Sequence, residues 1–261
     1  MRQLSVVGGA LRYEFAMQVQ RRSVWVVMLA LSVVAIFSSF YNPDHGWDRI
    51  LSLTPKEAII DWAVSSNWGL SLGFGLLLAD RLPRDKRTKM NELFGSFSGS
   101  PTARLLGKYL GSLLGTAVPV LLCYLAGLGY IVVRLQSVQD LWLALPALLV
   151  ITVPSLIFVG AFSLACPAVI WVPLYQFLFI GYYYWGNAFD AIGFQGIPTL
   201  SGTVLTPGGV FRAGGFFDVQ YDIFIHATFW EAVISTILMF ACAAIALFAL
   251  WRYLAWQRAR A

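Results

Sequence analysis

Charge is scarce in this sequence. Charged residues occupy 12% of the 261 positions, whereas roughly a quarter of the residues of a soluble globular domain are charged. Hydrophobic residues reach 59%, and the mean hydropathy is +0.71. This composition excludes an ordinary water-soluble domain and predicts that most of the chain lies in a lipid bilayer.

Metal-binding side chains are also few. Cys123, Cys166 and Cys242 lie in or at the ends of apolar runs and show no CxxC spacing, which argues against a zinc site or a disulfide framework. His45 and His226 are the only histidines, and their positions disfavour haem ligation between helices. We therefore expect no metal or cofactor bound by this chain, with the cysteines acting as small hydrophobic residues.

Two sequence signals that would identify other classes of protein are missing. Segment 99–108 superficially resembles a phosphate-binding loop, but it lacks the GxxxxGK[ST] pattern because Tyr109 follows Lys108. The chain therefore has no P-loop of its own. The N-terminus shows no short apolar core with a small-residue cleavage site, so we expect no cleavable signal peptide.

Long apolar runs are what the sequence does contain. A run of about 20 residues can cross the hydrocarbon core, and six such spans are predicted at 24–41, 59–79, 109–133, 141–165, 169–185 and 223–250. The fifth is short, and Pro167 and Pro173 lie beside the turn before it, so a broken hairpin of runs four and five is an alternative. The sequence predicts an all-α membrane protein with six transmembrane helices in a single transmembrane domain, 1–261.

The lysines and arginines indicate the orientation of these spans. With six spans both termini lie on one side, and fourteen of the eighteen Lys and Arg residues fall on that side. The four on the opposite side are Arg49, Lys56, Arg134 and Arg212. The positive-inside rule therefore predicts cytoplasmic termini. Contact with anionic lipid explains the net charge of +5, and no nucleic-acid partner is expected.

The N-terminal segment 1–22 has an amphipathic pattern. Its apolar residues at helical spacing are Leu4, Val7, Leu11, Phe15 and Val19, and the polar positions between them include Arg12, Gln18 and Arg21. This pattern predicts a helix that lies in the cytoplasmic interface before the first span. A simple extension of the first span is the alternative.

Segment 80–108, between spans two and three, is the largest charged segment, with seven Lys or Arg residues against three acidic ones. Residues 88–97 can form a short helix with Leu93 and Phe97 on one face and Phe94 on the adjacent one. Exposed apolar residues rimmed by charge are typical of a docking surface. The alternative is a solvated loop that only fixes the topology.

The order of short motifs in this segment is more specific than its charge. Arg84-Asp85 precedes Asn91-Glu92-Leu93-Phe94, and then come Ser100-Pro101-Thr102-Ala103-Arg104 and Leu106-Gly107-Lys108. The order resembles that of the ABC transporter type-2 permease family, whose members carry R-D, E-L-L, P-x-S-R and L-L-G-K in the same place. The glycine that usually precedes the E-L pair is absent here, and Thr102-Ala103 replaces the usual residues after the proline.

The resemblance implies the permease subunit of a bacterial ATP-driven exporter, a multi-pass protein of the inner membrane. Such a subunit forms a homodimer or heterodimer and docks on separate ABC ATPase subunits, which hold the ATP and Mg²⁺. A coupling helix within 80–108 would enter a cleft of the ATPase. The residues that the resemblance assigns to ATPase coupling are Arg84, Asp85, Glu92, Leu93, Phe94, Phe97, Pro101 and Arg104.

The connection 186–222 is too apolar for a plain solvent loop. We expect short helices that re-enter the outer leaflet and form a gate, because irregular backbone at membrane depth needs shielding; an interfacial flap is the alternative. Glu231, predicted one or two turns into span six, is a pathway candidate because ionisable residues inside spans are costly and often functional. The other pathway or gate candidates are His226, Tyr182 and Phe211.

Gly69-Leu-Ser-Leu-Gly73 matches the GxSxG pattern of serine hydrolases. In those enzymes the serine lies on a strand-to-helix turn, whereas Ser71 lies within an apolar helix. Close helix packing is the favoured explanation, as it is for Gly107, Gly111 and Gly115 at a spacing of four. An intramembrane serine protease with Ser71 and His226 as a dyad is one competing hypothesis, and a non-transporting membrane assembly or immunity factor is another.

Overall fold

The part of the chain that the structure describes is built of helices. The computed structural model describes residues 2–41, 47, 49–87, 101–187, 208–219 and 227–259, and none of these residues lies in a strand. Their helices are α1 (Arg2–Val19), α2 (Arg22–Phe40), α3 (Pro55–Leu78), α4 (Arg81–Arg87), α5 (Pro101–Leu135), α6 (Leu141–Ala168), α7 (Val172–Asn187), α8 (Val210–Phe217) and α9 (Phe229–Ala259).

Four of the described helices, α2, α5, α6 and α9, are long and apolar enough to cross a membrane. They correspond to predicted spans one, three, four and six, and the chain therefore has the build of a multi-pass membrane protein. The second predicted span corresponds to α3, which has 24 residues, several of them polar. The fifth corresponds to α7, which has 16 residues and is shorter than the roughly 20 needed for a straight crossing.

Helix α3 lies at the centre of the bundle. It contacts α2, α5, α6, α7 and α8, and fifteen of its residues are buried. Trp62 stacks on Phe40 of α2 and donates a hydrogen bond from Nε1 to the carbonyl oxygen of Tyr124 at 2.9 Å. Gly127 on α5 gives the indole its space, because a β-carbon there would overlap the ring. The enclosed position of α3 explains how it can carry polar residues.

Helix α1 lies lengthwise against the first half of α5. A β-carbon at Gly107, Gly111 or Gly115 would come within 2.7, 2.6 and 2.8 Å of α1, respectively. Later glycines meet later turns of α1, so the two helices run in parallel at a close approach that only small residues allow. The backbone is extended at Arg21, and α1 is therefore separate from α2 rather than an extension of it.

Helix α6 has an irregular middle. Residues Leu148–Thr152 form a π-helical turn, and Pro154 lies two residues after it. Proline has no N–H to donate to the residue four positions earlier, so the carbonyl of Val150 lacks its α-helical donor. A π turn is one way in which a helix accommodates such a break. It leaves carbonyl oxygens of α6 free to bond to other elements.

Candidate functional site

One carboxylate connects α1 to both ends of segment 80–108. Glu14 of α1 forms an ion pair with Arg81, the first residue of α4, and the two side chains are 7% and 1% exposed. The other carboxylate oxygen of Glu14 lies 3.4 Å from Nζ of Lys108 on α5. We call Glu14, Arg81 and Lys108 the Glu14 bridge. It links three helices at the point where segment 80–108 leaves and rejoins the bundle.

Burial makes this bridge sensitive to the loss of any member. Taking charges out of water is costly, and attraction between them offsets that cost only when the pairing is complete. Glu14 supplies one negative charge to two cations. Removing it would leave Arg81 and Lys108 facing each other in a site from which most water is excluded.

A polar contact lies one turn further along the same interface. Gln18 Nε2 donates to Oγ1 of Thr116 at 2.8 Å, and both residues are fully buried. The sequence analysis counted Gln18 among the polar positions of an interfacial amphipathic helix, but this side chain faces α5. The glycines of α5 bring the two backbones close enough for that contact.

The structure covers the predicted coupling residues only in part. Arg84 lies in α4 and is exposed, and Arg104 lies in the first turn of α5 and is half-buried. Asp85 belongs to α4, and Pro101 is the first residue of α5, where the sequence predicted the return into span three. Glu92, Leu93, Phe94 and Phe97, with the short helix predicted at 88–97, lie outside the described residues.

The bundle core holds a buried arginine. Arg212 on α8 is 0% exposed. Its guanidinium donates to the carbonyl oxygens of Val150 and Ile151 at 2.9 Å each and to Oγ of Ser155 at 2.8 Å. The sequence placed Arg212 among the four cations of the outer side and gave no sign that it is buried against α6.

The irregular turn of α6 explains why Arg212 lies there. The acceptors on Val150 and Ile151 belong to the π turn, and Pro154 leaves the first of them without its helical donor. Buried charge is tolerated when its donors are satisfied, and several aligned carbonyl dipoles favour the cation. A fourth interaction of the guanidinium places Nη1 against the sulfur of Met239 on α9.

Asn67 connects the same cluster to α3. Its Nδ2 donates to Oγ of Ser155 at 3.1 Å and to the carbonyl oxygen of Gly208 at 2.8 Å, and its Oδ1 accepts from Oγ of Ser71 at 2.8 Å. We call these residues, with Arg212, the Arg212 network. It joins the segment that leads into α8 to both α3 and α6. Asn67 and Pro154, each inside an apolar run, are the sequence signals that could have pointed to it.

Glu231 is the pathway candidate whose side-chain contacts the structure describes most fully. Glu231 is the third residue of α9 and lies in its first turn rather than deeper in the span. Its carboxylate accepts from N and Oγ1 of Thr228 at 2.6 and 2.9 Å, while its own N–H donates to Thr228 Oγ1 at 3.3 Å. This reciprocal pair is a capping box, which gives Glu231 a structural role.

The other three candidates are spread along the chain. Tyr182 on α7 is half-buried against the main core. Phe211 belongs to α8, directly before Arg212. His226 lies outside the described residues. Phe211 lies next to the Arg212 network through its place on α8, and Tyr182 lies next to Tyr183, whose hydroxyl donates to the carbonyl oxygen of Asn67 at 3.4 Å.

The glycines around Ser71 pack as the sequence predicted. Gly73 faces Leu31 and Met28 of α2 so closely that a β-carbon would overlap Leu31, and Gly69 faces Ala35. Ser71 is fully buried and donates its hydrogen bond to Asn67. The small residues of the GxSxG pattern therefore let α2 approach α3.

These features define a class: a multi-pass, all-helical membrane protein with a charged bridge at the ends of segment 80–108 and a polar network in its core. No protein-family model matches the chain, and no curated protein matches it.

Proposed function

We propose that this chain is the transmembrane permease subunit of an ATP-driven exporter, working as a dimer and coupled to separate ATPase subunits. The observation that carries the proposal is the Glu14 bridge. A partner that moved segment 80–108 would act on α4 and on the start of α5, and Glu14 joins both to α1. The motif order of segment 80–108 indicates that this partner is an ABC ATPase subunit.

In this proposal α3 and α7 also cross the membrane, which makes six spans. Both termini and segment 80–108 lie in the cytoplasm of a bacterial cell, and α1 lies at the cytoplasmic interface. The enclosed position of α3 supports its role as a span, because its polar residues meet protein rather than lipid. The short α7 crosses with the help of neighbouring helices.

Helix α3 provides a route from the coupling segment to the core. It ends just before Arg81, and Asn67 lies fourteen residues earlier, which is roughly 21 Å along a helix. Movement of α4 therefore acts through α3 on the Arg212 network, which holds the start of α8. We propose that α8 is part of the outer gate and that this network holds it closed in one of two arrangements.

ATP binding then shifts the balance between the two arrangements. Closure of the ATPase subunits displaces the coupling segment, and the gate opens to the extent that the ATPase binds one arrangement more tightly than the other. The chain itself supplies docking, transmission and the pathway, while the ATPase supplies the chemistry.

The test is a search for a Walker-type ATPase gene beside the one that encodes this chain, followed by reconstitution of the two proteins or, without such a gene, of this chain with a heterologous ATPase subunit. We expect the two proteins to co-purify and the ATPase rate in nanodiscs to differ from that of the ATPase alone. The triple variant Leu93→Ala, Phe94→Ala, Phe97→Ala should lose both effects. Ile237→Ala, Ile245→Ala, Phe248→Ala, at exposed apolar positions of α9, is the matched control and should keep them.

Two results would contradict the proposal. One is the absence of any Walker-type ATPase gene beside this one, together with no stimulation by a heterologous subunit. The other is co-purification and ATPase rates that are identical in the wild type and in the triple variant of the coupling segment.

A further inference from the structure

A basic cleft lies beside the Glu14 bridge, between α1 and α4. Its volume is about 380 Å³, and it is lined by Tyr13, Ala16, Met17, Gln20, Arg21, Arg81 and Arg84. That volume lies within the range of roughly 300–1,000 Å³ that small-molecule sites occupy. Three of the seven lining residues are arginines, and none of the seven is acidic.

Two arginines of the cleft, Arg81 and Arg21, each have one guanidinium nitrogen without a hydrogen-bond partner among the described residues. Nε of Arg81 is buried and has no hydrogen-bond partner among the described residues, and the same holds for Nη1 of Arg21. Arg81 is 1% exposed, so water gives it little compensation. A buried donor without a partner costs free energy comparable to a lost hydrogen bond. An anion in the cleft would remove that cost once a small rotation of the guanidinium groups turned these buried nitrogens toward it.

The charges around the cleft also favour the binding of an anion. The acid nearest to Arg21 is Asp80, at 3.9 Å, and Glu14 is shared between Arg81 and Lys108. Burial and the neighbouring Arg84 lower the pKa of Arg21, as expected where positive charges are crowded. Among the described residues, the acids paired with these cations are therefore Asp80 and the shared Glu14, while the cleft itself is lined by three arginines.

We propose that this cleft binds the phosphate headgroup of an anionic phospholipid. Guanidinium groups match phosphate oxygens with paired hydrogen bonds, and basic pockets between membrane helices suit anionic headgroups. A lipid fits better than a free phosphate because membrane-spanning α2 begins at Arg22, directly after Arg21. Within two turns it exposes Trp25, Val26 and Leu29, along which acyl chains can lie. Met17 and Tyr13 add apolar surface inside the cleft.

The experiment is native mass spectrometry of the delipidated full chain, titrated with phosphatidylglycerol, with phosphatidylcholine of the same acyl chains, and with inorganic phosphate. We expect one phosphatidylglycerol per chain, bound at least tenfold more tightly than phosphatidylcholine, and no retained phosphate. The variant Arg21→Gln, Arg84→Gln should bind phosphatidylglycerol roughly 25-fold more weakly, since each cation near an anionic lipid contributes roughly fivefold.

Two further variants distinguish a specific lipid site from nonspecific attraction between basic residues and anionic lipid. Arg12→Gln, Arg22→Gln removes the same charge from exposed positions that do not line the cleft, and it should keep wild-type affinity. Met17→Trp fills the cleft without changing charge and should weaken phosphatidylglycerol binding, which keeps the test decisive if the arginine variant does not fold. Equal affinity of the wild type and Met17→Trp would overturn the proposal. So would inorganic phosphate that competes as well as lipid, or equal weakening by both arginine pairs.

Discussion

Glu14 is a single buried carboxylate that links three helices of an otherwise apolar protein. It lies on a helix whose apolar pattern dominates the sequence, yet it is 5% exposed and meets two cations from other helices. Its burial follows from the glycines of α5, which let α1 come close. Because the site is buried, a neutral side chain of the same shape as glutamate would leave both cations without a counter-charge.

We predict that Glu14→Gln destabilises the protein by about 3–5 kcal/mol, the usual cost of breaking a buried ion pair by removing one partner. Thermal unfolding in detergent, followed by tryptophan fluorescence, measures the effect. Glu57→Gln is the control, because Glu57 is an exposed capping-box residue and glutamine also serves in that motif. A similar melting temperature for both variants would contradict the importance of the bridge.

Arg212 gives a second prediction at the scale of single residues. Its acceptors lie on three neighbouring residues of α6 and require a planar, forked donor, which lysine lacks. We expect Arg212→Lys to destabilise the protein by about 1–3 kcal/mol, because buried carbonyls lose their donors. Thermal unfolding is again the measurement. Arg252→Gln, at an exposed position of α9, should change the melting temperature little, and equal melting of both variants would argue against the network.

At the scale of elements, α3 and α9 begin with the same N-terminal capping box. A helix that starts at a membrane boundary leaves backbone N–H groups without partners, and each of these two helices has a threonine followed three residues later by glutamate. The motif fixes where the helix begins. It also explains why an acidic residue can stand at the end of an apolar run without lining a pathway.

We predict that Thr228→Ala destabilises the protein by about 1 kcal/mol, the usual cost of losing an N-cap. Glu231→Gln should retain both stability and transport, because glutamine fits the capping box. Paired measurements of melting temperature and of transport in proteoliposomes separate the two roles of Glu231. If Glu231→Gln abolished transport at unchanged stability, the residue would belong to the pathway after all.

The contact between α1 and α5 gives a matched pair of glycine substitutions. In Gly111→Ala the new β-carbon would lie 2.6 Å from the carbonyl oxygen of Leu11, whereas at Gly129 nothing lies within 4 Å. We expect Gly111→Ala to cost about 1–3 kcal/mol through overpacking, and Gly129→Ala to be neutral or stabilising by up to about 1 kcal/mol. Melting temperatures of the two variants test this, and a tolerated Gly111→Ala would mean that the two helices lie further apart.

At the scale of the whole molecule, the arrangement of α2 against α3 can be tested by cross-linking. The β-carbon of Ala35 lies 3.8 Å from the ideal β-carbon position of Gly69, a separation that suits a disulfide. We expect Ala35→Cys, Gly69→Cys to form an intramolecular disulfide in a chain whose native cysteines are replaced. Gel mobility with and without reductant measures it. Ala35→Cys, Gly129→Cys serves as the control, and equal cross-linking of both pairs would contradict the fold.

The sequence anticipated elements better than it anticipated contacts. Apolar runs predicted α2, α5, α6 and α9, because the length of such a run is dictated by the bilayer. The Glu14 bridge and the Arg212 network were missed, since each depends on partners far apart in the chain: Arg212 bonds to residues about sixty positions away. The spacing of apolar residues indicates which residues share a helix face. It does not indicate which face of another helix they contact.

The π turn of α6 has a consequence for how this chain tolerates change in length. One residue corresponds to about 100° of helix rotation, so the turn sets a phase difference between the two halves of α6. Deleting a single residue within Leu148–Thr152 would restore regular winding there and rotate Ser155 away from Arg212. A one-residue deletion here would therefore rotate one half of α6 relative to the rest of the bundle, whereas a substitution at the same positions changes only one side chain.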